Sequence, residues 1–186
     1  MDAAKVIEEL ALNARRAART LTTATSAERK AALLAIADAI ESRSAEILQA
    51  NSHDIDRAKA EDMHPQVQDR LLLTKSRVDA IANGARLVAD LPDPLGKVLR
   101  NSTLANGLDL KQITVPFGVI GMVYEARPNV TIDAAVILLA SGNAALLRGS
   151  STAADSNQIL VDVMRGALAT TNISPDVIQL VPSDDR

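Results

Sequence analysis

The sequence predicts an α/β fold: N-terminal helices, a β-hairpin, and then a partial parallel sheet with flanking helices. Three observations predict it. Apolar residues recur every three or four positions from residue 3 to residue 91, the period of helices that bury one face. An Asn-Gly pair, Asn106-Gly107, separates two runs of partial alternation, the local signature of a hairpin. From Phe117 onward, short β-prone runs alternate with helical patterns, and such strands pair in parallel through right-handed crossovers.

The helices follow in order. Val6, Leu10, Ala14, Ala17 and Leu21 form one stripe. TSAE at 25–28 is a capping-box pattern, in which the Thr25 hydroxyl accepts from an early backbone N–H and Glu28 reaches back. Leu33, Ile36, Ala37 and Ile40 keep the period, and Ser44 restarts a helix through Ala45, Ile47 and Leu48. From Asn51 to His64 the pattern is polar and ambiguous; Ile55 and Ala58 continue a helix, and Pro65 ends or begins one. Thr74 then precedes the regular stripe Val78, Ile81, Ala82, Ala85, Val88 and Ala89. DLPDPLG at 90–96 stops it, so a boundary falls there. The organisation expected is a helical segment over 1–96, a hairpin over 97–115 and a βαβαβ unit over 116–186.

In that last unit, residues 117–124 form an apolar run suited to a strand buried on both faces. Asn129 or Thr131 caps a helix that runs to Ala140 and is apolar on nearly all sides, hence buried. Gly142 sits where a left-handed residue ends a helix. Residues 144–147 make a second strand and 149–152 a turn, with a cap-like TAAD at 152–155. Ile159, Leu160, Val163, Met164, Ala167 and Leu168 face the core from a further helix, and residues 177–181 make a third strand.

Composition excludes several functions. The net charge is -3 and no basic run carries interleaved aromatics, which excludes a nucleic-acid surface as the main business. There are no cysteines, so disulfides and thiol nucleophiles within the chain are excluded; a reducing, cytoplasmic setting is expected. MDAAKVIEEL at the N-terminus lacks an apolar core for a signal peptide. The longest purely apolar runs, AALLAIA and AAVILLA, fall far short of a membrane span, so no membrane partner is expected. His53 and His64 lack a third ligand at useful spacing, so no metal is expected. Glu8-Glu9, Glu61-Asp62 and Asp184-Asp185 read as solvated faces.

Parallel sheets bind ligands at the carboxyl ends of their strands, here 124–129, 148–152 and 182–183. Gly118 and Gly121 have two readings: close helix packing, or backbone groups presented to a dinucleotide. Arg127-Pro128-Asn129 is either a capped helix start beside a solvated arginine, or an amide donor for an oxyanion with a guanidinium clamp for phosphate or carboxylate. Arg148-Gly149-Ser150-Ser151 is an ordinary strand-to-helix turn, or a cation with hydroxyls and free N–H groups for an anion. These features reach a nucleotide-binding α/β domain and name no reaction.

The stretch 115–151, VPFGVIGMVYEARPNVTIDAAVILLASGNAALLRGSS, resembles the γ-glutamyl phosphate reductase (glutamate-5-semialdehyde dehydrogenase) family of the aldehyde dehydrogenase superfamily. YEARPNVT followed by SGNAALLRG is a specific combination. DRLLLT at 69–74, DPLGKV at 93–98 and LVPSDDR at 180–186 are similar to the same family, so the likeness runs from about Ala17 to the end. It implies a Rossmann-like cofactor domain and NADPH-dependent reduction of L-glutamyl 5-phosphate to L-glutamate 5-semialdehyde and phosphate, in proline biosynthesis. Aligned through SGN at 141–143, Arg148 takes the place of a ribose-contacting lysine, and Ser151 that of the glutamate carried by many NAD-preferring members. A cation without that carboxylate suits the 2′-phosphate of NADPH. Gly149 and Ser150 lie in the same corner, and main chain near Met122, Val123 and Tyr124 is expected to border the cofactor. The superfamily's oxyanion-binding asparagine aligns with Glu125, but Asn129 has the right chemistry and is assigned the role. Arg127 is assigned to the substrate phosphate or carboxylate. The resemblance also implies a homo-oligomer built through the hairpin ribbon, and association with glutamate 5-kinase.

One departure is large. The family works through a catalytic cysteine, because a thiolate attacks the acyl phosphate and leaves an acyl group open to hydride. This chain has none. The expectation is an N-terminal fragment, inactive by itself, whose nucleophile-bearing domain follows residue 186. Two alternatives stay open: a fragment of another aldehyde dehydrogenase-like enzyme, and a stand-alone nucleotide-binding module.

Overall fold

Five helices precede the first strand, and most start where the sequence supplies a cap or a proline. The computed structural model describes residues 3–183. Helix α1 spans Ala3–Leu21 and α2 spans Ser26–Ser42, the latter opened by the full Thr25–Glu28 capping box. Helix α3 spans Ser44–Ala60, α4 Pro65–Leu71 and α5 Lys75–Ala89, with Thr74 accepting from the Arg77 N–H. The ambiguous polar stretch resolves into the second half of α3 and a turn through Asp62, at φ 50°. His64 then caps α4, its Nδ1 accepting from the Gln66 N–H at 3.3 Å, with Pro65 as the first helical residue. No helix among the described residues is long and apolar enough to cross a membrane.

Strands β1 (Val98–Thr103) and β2 (Asp109–Ile113) pair antiparallel. An Asn-Gly hairpin turn usually needs positive φ at both residues, and this loop does not have it. Only Gly107 has positive φ, at 84°; its N–H bonds the Leu104 carbonyl, and the Leu104 N–H bonds the Leu108 carbonyl. The loop therefore holds three residues, and one glycine in the left-handed region is all it needs.

Strands β3 (Val119–Val123), β4 (Ala144–Arg148) and β5 (Ile178–Leu180) form a parallel sheet in that order. Adjacent residues Ala144 and Ala145 are both buried, so both faces of β4 are covered: α1 packs on one, and α6 (Pro128–Ala140) on the other. Helix α7 (Ala154–Leu168) packs beside α6, and α2, α3 and α5 stack behind them. With aromatics at 1%, the core is Ala, Leu, Ile and Val. Strand β3 is not buried on both faces as expected. It is a sheet edge; Val123 is 74% exposed, and Phe117 precedes the strand at 93%. Nor do its glycines serve close packing: a Cβ at Gly118 or Gly121 would meet nothing within 4 Å among the described residues.

Helix α6 begins at Pro128 with Arg127 in the cap position and no side-chain cap, so neither Asn129 nor Thr131 caps it. Proline at the first helical position has no N–H to satisfy and a preset φ, and Thr131 turns inward. The helix closes on Gly142, at φ 74°; the Gly142 N–H reaches the Leu139 carbonyl and the Asn143 N–H the Leu138 carbonyl, the paired bonds of a Schellman end. Thr152 does not cap α7. Ser150 caps the 3-10 turn at Ser151–Ala153, and α7 itself is capped from another helix. Asp54 of α3, 0% exposed, accepts from the Ser156 N–H at 2.8 Å, the Ser156 hydroxyl at 2.5 Å and the Asp155 N–H at 3.2 Å, and pairs with Arg57. Burial pushes its carboxyl up, and these donors oppose that rise. Glu8, Glu9, Glu61 and Asp62 are solvated; Asp184 and Asp185 lie outside the described residues.

Removing Asp54 leaves two helix N–H groups and a buried hydroxyl without their acceptor. Asp54→Ala is expected to lower the unfolding free energy by about 2–4 kcal/mol in urea titrations, whereas the exposed Asp56→Ala changes it by less than about 0.5 kcal/mol.

Candidate functional site

Parallel pairing brings the strand ends together. Val123 stands opposite Arg148, the Tyr124 N–H bonds the Arg148 carbonyl at 3.1 Å, and the Val181 N–H bonds the Leu147 carbonyl at 2.8 Å. The bend after β3, the corner after β4 and the exit of β5 thus share one end of the sheet. Met122 is half-buried against the core, and Val123 and the Tyr124 main chain form the open rim.

A buried chain of hydrogen bonds fixes this end. Thr131 of α6 donates to the side-chain oxygen Oδ1 of Asn157 in α7 at 2.8 Å, so the Tyr124 hydroxyl, 2.8 Å from Thr131, is the donor to it. Burial pushes the Tyr124 phenol up, partly offset by its bond to Thr131. Gly149 sits against this chain: a Cβ there would strike the Asn157 amide and come within 3.0 Å of the Tyr124 ring. Only a residue without a side chain lets the corner approach so closely.

The corner's anion-binding means differ from the expectation. The N–H groups of Asp155 and Ser156 are taken by Asp54, and that of Thr152 by the Ser150 hydroxyl at 3.3 Å. The helix terminus is therefore already satisfied, and the other polar side chains of the corner are the half-buried Arg148, Ser150, whose hydroxyl bonds Thr152, and the exposed Ser151. A cleft of about 230 Å³ opens at Gly149, walled also by Ala154, Asn157, Gln158 and Val181; Arg148, Ser150 and Ser151 do not line it.

Arg127 and Asn129 line a separate, larger pocket of about 570 Å³ between α4, α5 and α6, together with Asp69, Arg70, Arg77 and Asp133. Asn129 donates its amide to Asp133 at 3.2 Å. The Glu125 carboxylate lies 3.9 Å from both Arg70 and Arg127. Arg77 is committed to the carbonyls of Asp69 and Leu72 and to the Asp69 carboxylate. A third cavity, about 290 Å³ and bordered by Ser141 and the Arg29–Asp93 pair, lies beyond the opposite end of α6 and holds no predicted site residue. Among the described residues no group of His, Asp or Glu is placed to hold a metal; His53 is exposed, 4.0 Å from Asp155.

The predicted residues therefore form two groups. Met122, Val123, Tyr124, Arg148, Gly149, Ser150 and Ser151 share the strand-end rim, and Arg127 and Asn129 share the neighbouring pocket. Sequence reasoning missed Asp54, Arg70, Thr131 as an internal bond donor, Asp133 and Asn157. One signal was present: Asn51 and Asp54 fall on the same helical stripe as Ile47 and Ala58, where a polar group needs a partner.

The chain matches the model of the aldehyde dehydrogenase family over residues 1–186. It belongs to that family. It is 47% identical over 185 residues to γ-glutamyl phosphate reductase of Thermobifida fusca, covering all of this chain and 44% of that protein. The γ-glutamyl phosphate reductase structure from Thermotoga maritima superposes with a TM-score of 0.94 at 36% identity, over 96% of this chain and 43% of that one. The one from Saccharomyces cerevisiae gives 0.89 at 30% identity, over 95% and 46%. The chain thus spans less than half the length of the relatives it matches.

Tyr124 is the only tyrosine and there is no tryptophan, so an ultraviolet titration of phenolate reports on this one ring. The expected midpoint lies above that of free tyrosine.

Proposed function

We propose that the chain is the N-terminal part of an NADPH-dependent γ-glutamyl phosphate reductase, which converts L-glutamyl 5-phosphate to L-glutamate 5-semialdehyde and phosphate in proline biosynthesis. One observation carries the reading. Two segments far apart in sequence, DRLLLT at 69–74 and YEARPNVT at 124–131, meet around one charged pocket beside the ends of parallel strands. Relatives 30–47% identical to the chain over 95–100% of its length are reductases of that name.

The donor set at the β4 corner fits a nucleotide with an extra phosphate. Arg148 supplies a positive charge, Ser150 and Ser151 supply hydroxyls, and the carboxylates at the start of α7, Asp54 and Asp155, pair with Arg57. A dianionic 2′-phosphate meets attraction there. The exposed β3 rim, residues 122–124, offers the nicotinamide half of the cofactor a flat main-chain border. When bound, NADPH supplies the hydride.

In the neighbouring pocket Arg127 holds the substrate's phosphate or carboxylate. Asn129 keeps one amide hydrogen on Asp133 and has a second for the oxygen that gains charge as the acyl group is attacked. Glu125, a carboxylate between two arginines, would repel that oxygen; its use is to orient Arg70 and Arg127. The chain holds no cysteine, so the thiolate comes from residues outside it. The hairpin, exposed along both strands, is the surface through which full-length copies assemble. The enzyme works in the cytoplasm, beside the glutamate 5-kinase that makes its substrate.

The test uses the full-length protein encoded by the reading frame. Arg148→Ala is expected to raise KM for NADPH by roughly 10–100-fold, the worth of one or two charge-assisted bonds, with little change for NADH. Equal losses with both cofactors contradict the assignment.

A further inference from the structure

The pocket between α4, α5 and α6 holds charges of both signs that the chain does not pair off. Two arginines elsewhere in the molecule are tightly engaged: Arg86 reaches Glu41 at 2.6 Å, and Arg57 reaches Asp155 at 2.7 Å. Arg70 and Arg127 stand 3.9 Å from the carboxylate they share, so two guanidinium groups face one loosely held anion. Arg77 and Asp69 satisfy each other. That leaves Asp133, one helical turn after Asn129 on α6. Its hydrogen-bond partner is the Asn129 amide at 3.2 Å, and among the described residues no Lys or Arg nitrogen lies within 4.0 Å of it. Protein atoms crowd it enough to push its carboxyl above the ordinary range, with the Asn129 bond opposing.

A surplus of cations on one wall and an unpaired carboxylate on another match a ligand with both charges on adjacent atoms. We propose that Asp133 takes the α-ammonium group of the substrate while Arg70 and Arg127 take its α-carboxylate, so that the pocket selects an α-amino acyl phosphate over its des-amino counterpart. This rests on the preceding reading that the chain is part of an acyl-phosphate reductase whose substrate enters this pocket. The physical reason is selective. With the amino acid bound, each protein charge exchanges water for an opposite charge. With the des-amino ligand, Asp133 is covered and left without a cation, and a site built to bond a group rejects the analogue that lacks it. Asn129 holds the carboxylate in place, which adds a positioning role to its second amide hydrogen. Arg70, in DRLLLT, becomes a substrate residue in place of a helix-surface charge.

The test runs the reaction in reverse with the full-length protein: aldehyde, inorganic phosphate and NADP⁺ give acyl phosphate, NADPH and a proton. The two aldehydes are L-glutamate 5-semialdehyde and 5-oxopentanoate, identical but for the amino group. The wild type is expected to favour the amino aldehyde by roughly 10–100-fold in kcat/KM. Asp133→Asn, nearly isosteric at an exposed position, is expected to raise KM for the amino aldehyde about tenfold or more, with a smaller change in kcat. It leaves 5-oxopentanoate unchanged or improved, so most of the preference disappears. Asp133→Glu keeps the charge and retains part of the preference, which a merely structural role would not produce. A wild type without preference, or an Asp133→Asn enzyme that keeps it, overturns the proposal while leaving the reductase reading intact. A wild type that oxidises neither aldehyde overturns the reductase reading itself.

Discussion

Parallel pairing of β3 with β4 is the constraint on which the rest of the site depends. Because Val123 lies opposite Arg148, the bend leading to α6 and the corner leading to α7 leave the sheet at the same end, and both helices start there. A crossover between parallel strands must be right-handed to pack back on the sheet, so α6 lies over β4 and delivers Thr131 beside Asn157. The hydrogen-bond chain from Tyr124 to Asn157 then locks the two corners to each other, and Gly149 lets them close. Remove that register and the residues at 122–131 and 148–151 share no surface.

The α7 terminus shows how one buried charge reorganises a site. A free helix N-terminus attracts anions through its unsatisfied N–H groups, but here Asp54 occupies that position from α3. The helical segment is therefore more than a cover for the sheet. It satisfies α7 and pairs Asp155 with Arg57. The same segment supplies Arg70 and Arg77 to the other pocket. Both halves of the site depend on helices that precede the first strand.

Much of the fold was legible because its signals are local. The Thr25 capping box, the breaker at 90–96, Gly107 and Gly142 each act within a few residues, and each lies where the sequence reading put it. The failures come from tertiary context. Residues 117–124 are apolar enough for a central strand, yet β3 is an edge, and nothing in its own residues says how many neighbours pair with it. Asn129 and Thr131 are good cap residues by type; Pro128 made a cap unnecessary and freed Thr131 for an internal bond. At the site, the strand ends followed from the βαβαβ order, so residues 122–124 and 148–151 were found together. The pocket around Arg127 was not, because Arg70 and Asp133 are 63 positions apart in the chain and only the packing of α4 and α5 on α6 joins them.

The central claim is that a dinucleotide lies across the carboxyl ends of β3 and β4. Hydrogen exchange of the full-length protein with and without NADPH tests it most directly. Slower exchange in peptides covering 119–124 and 148–154, with the hairpin at 98–113 unchanged, is the predicted result. Protection confined to Gly118 and residues 141–143, at the opposite ends of the same strands, would contradict it.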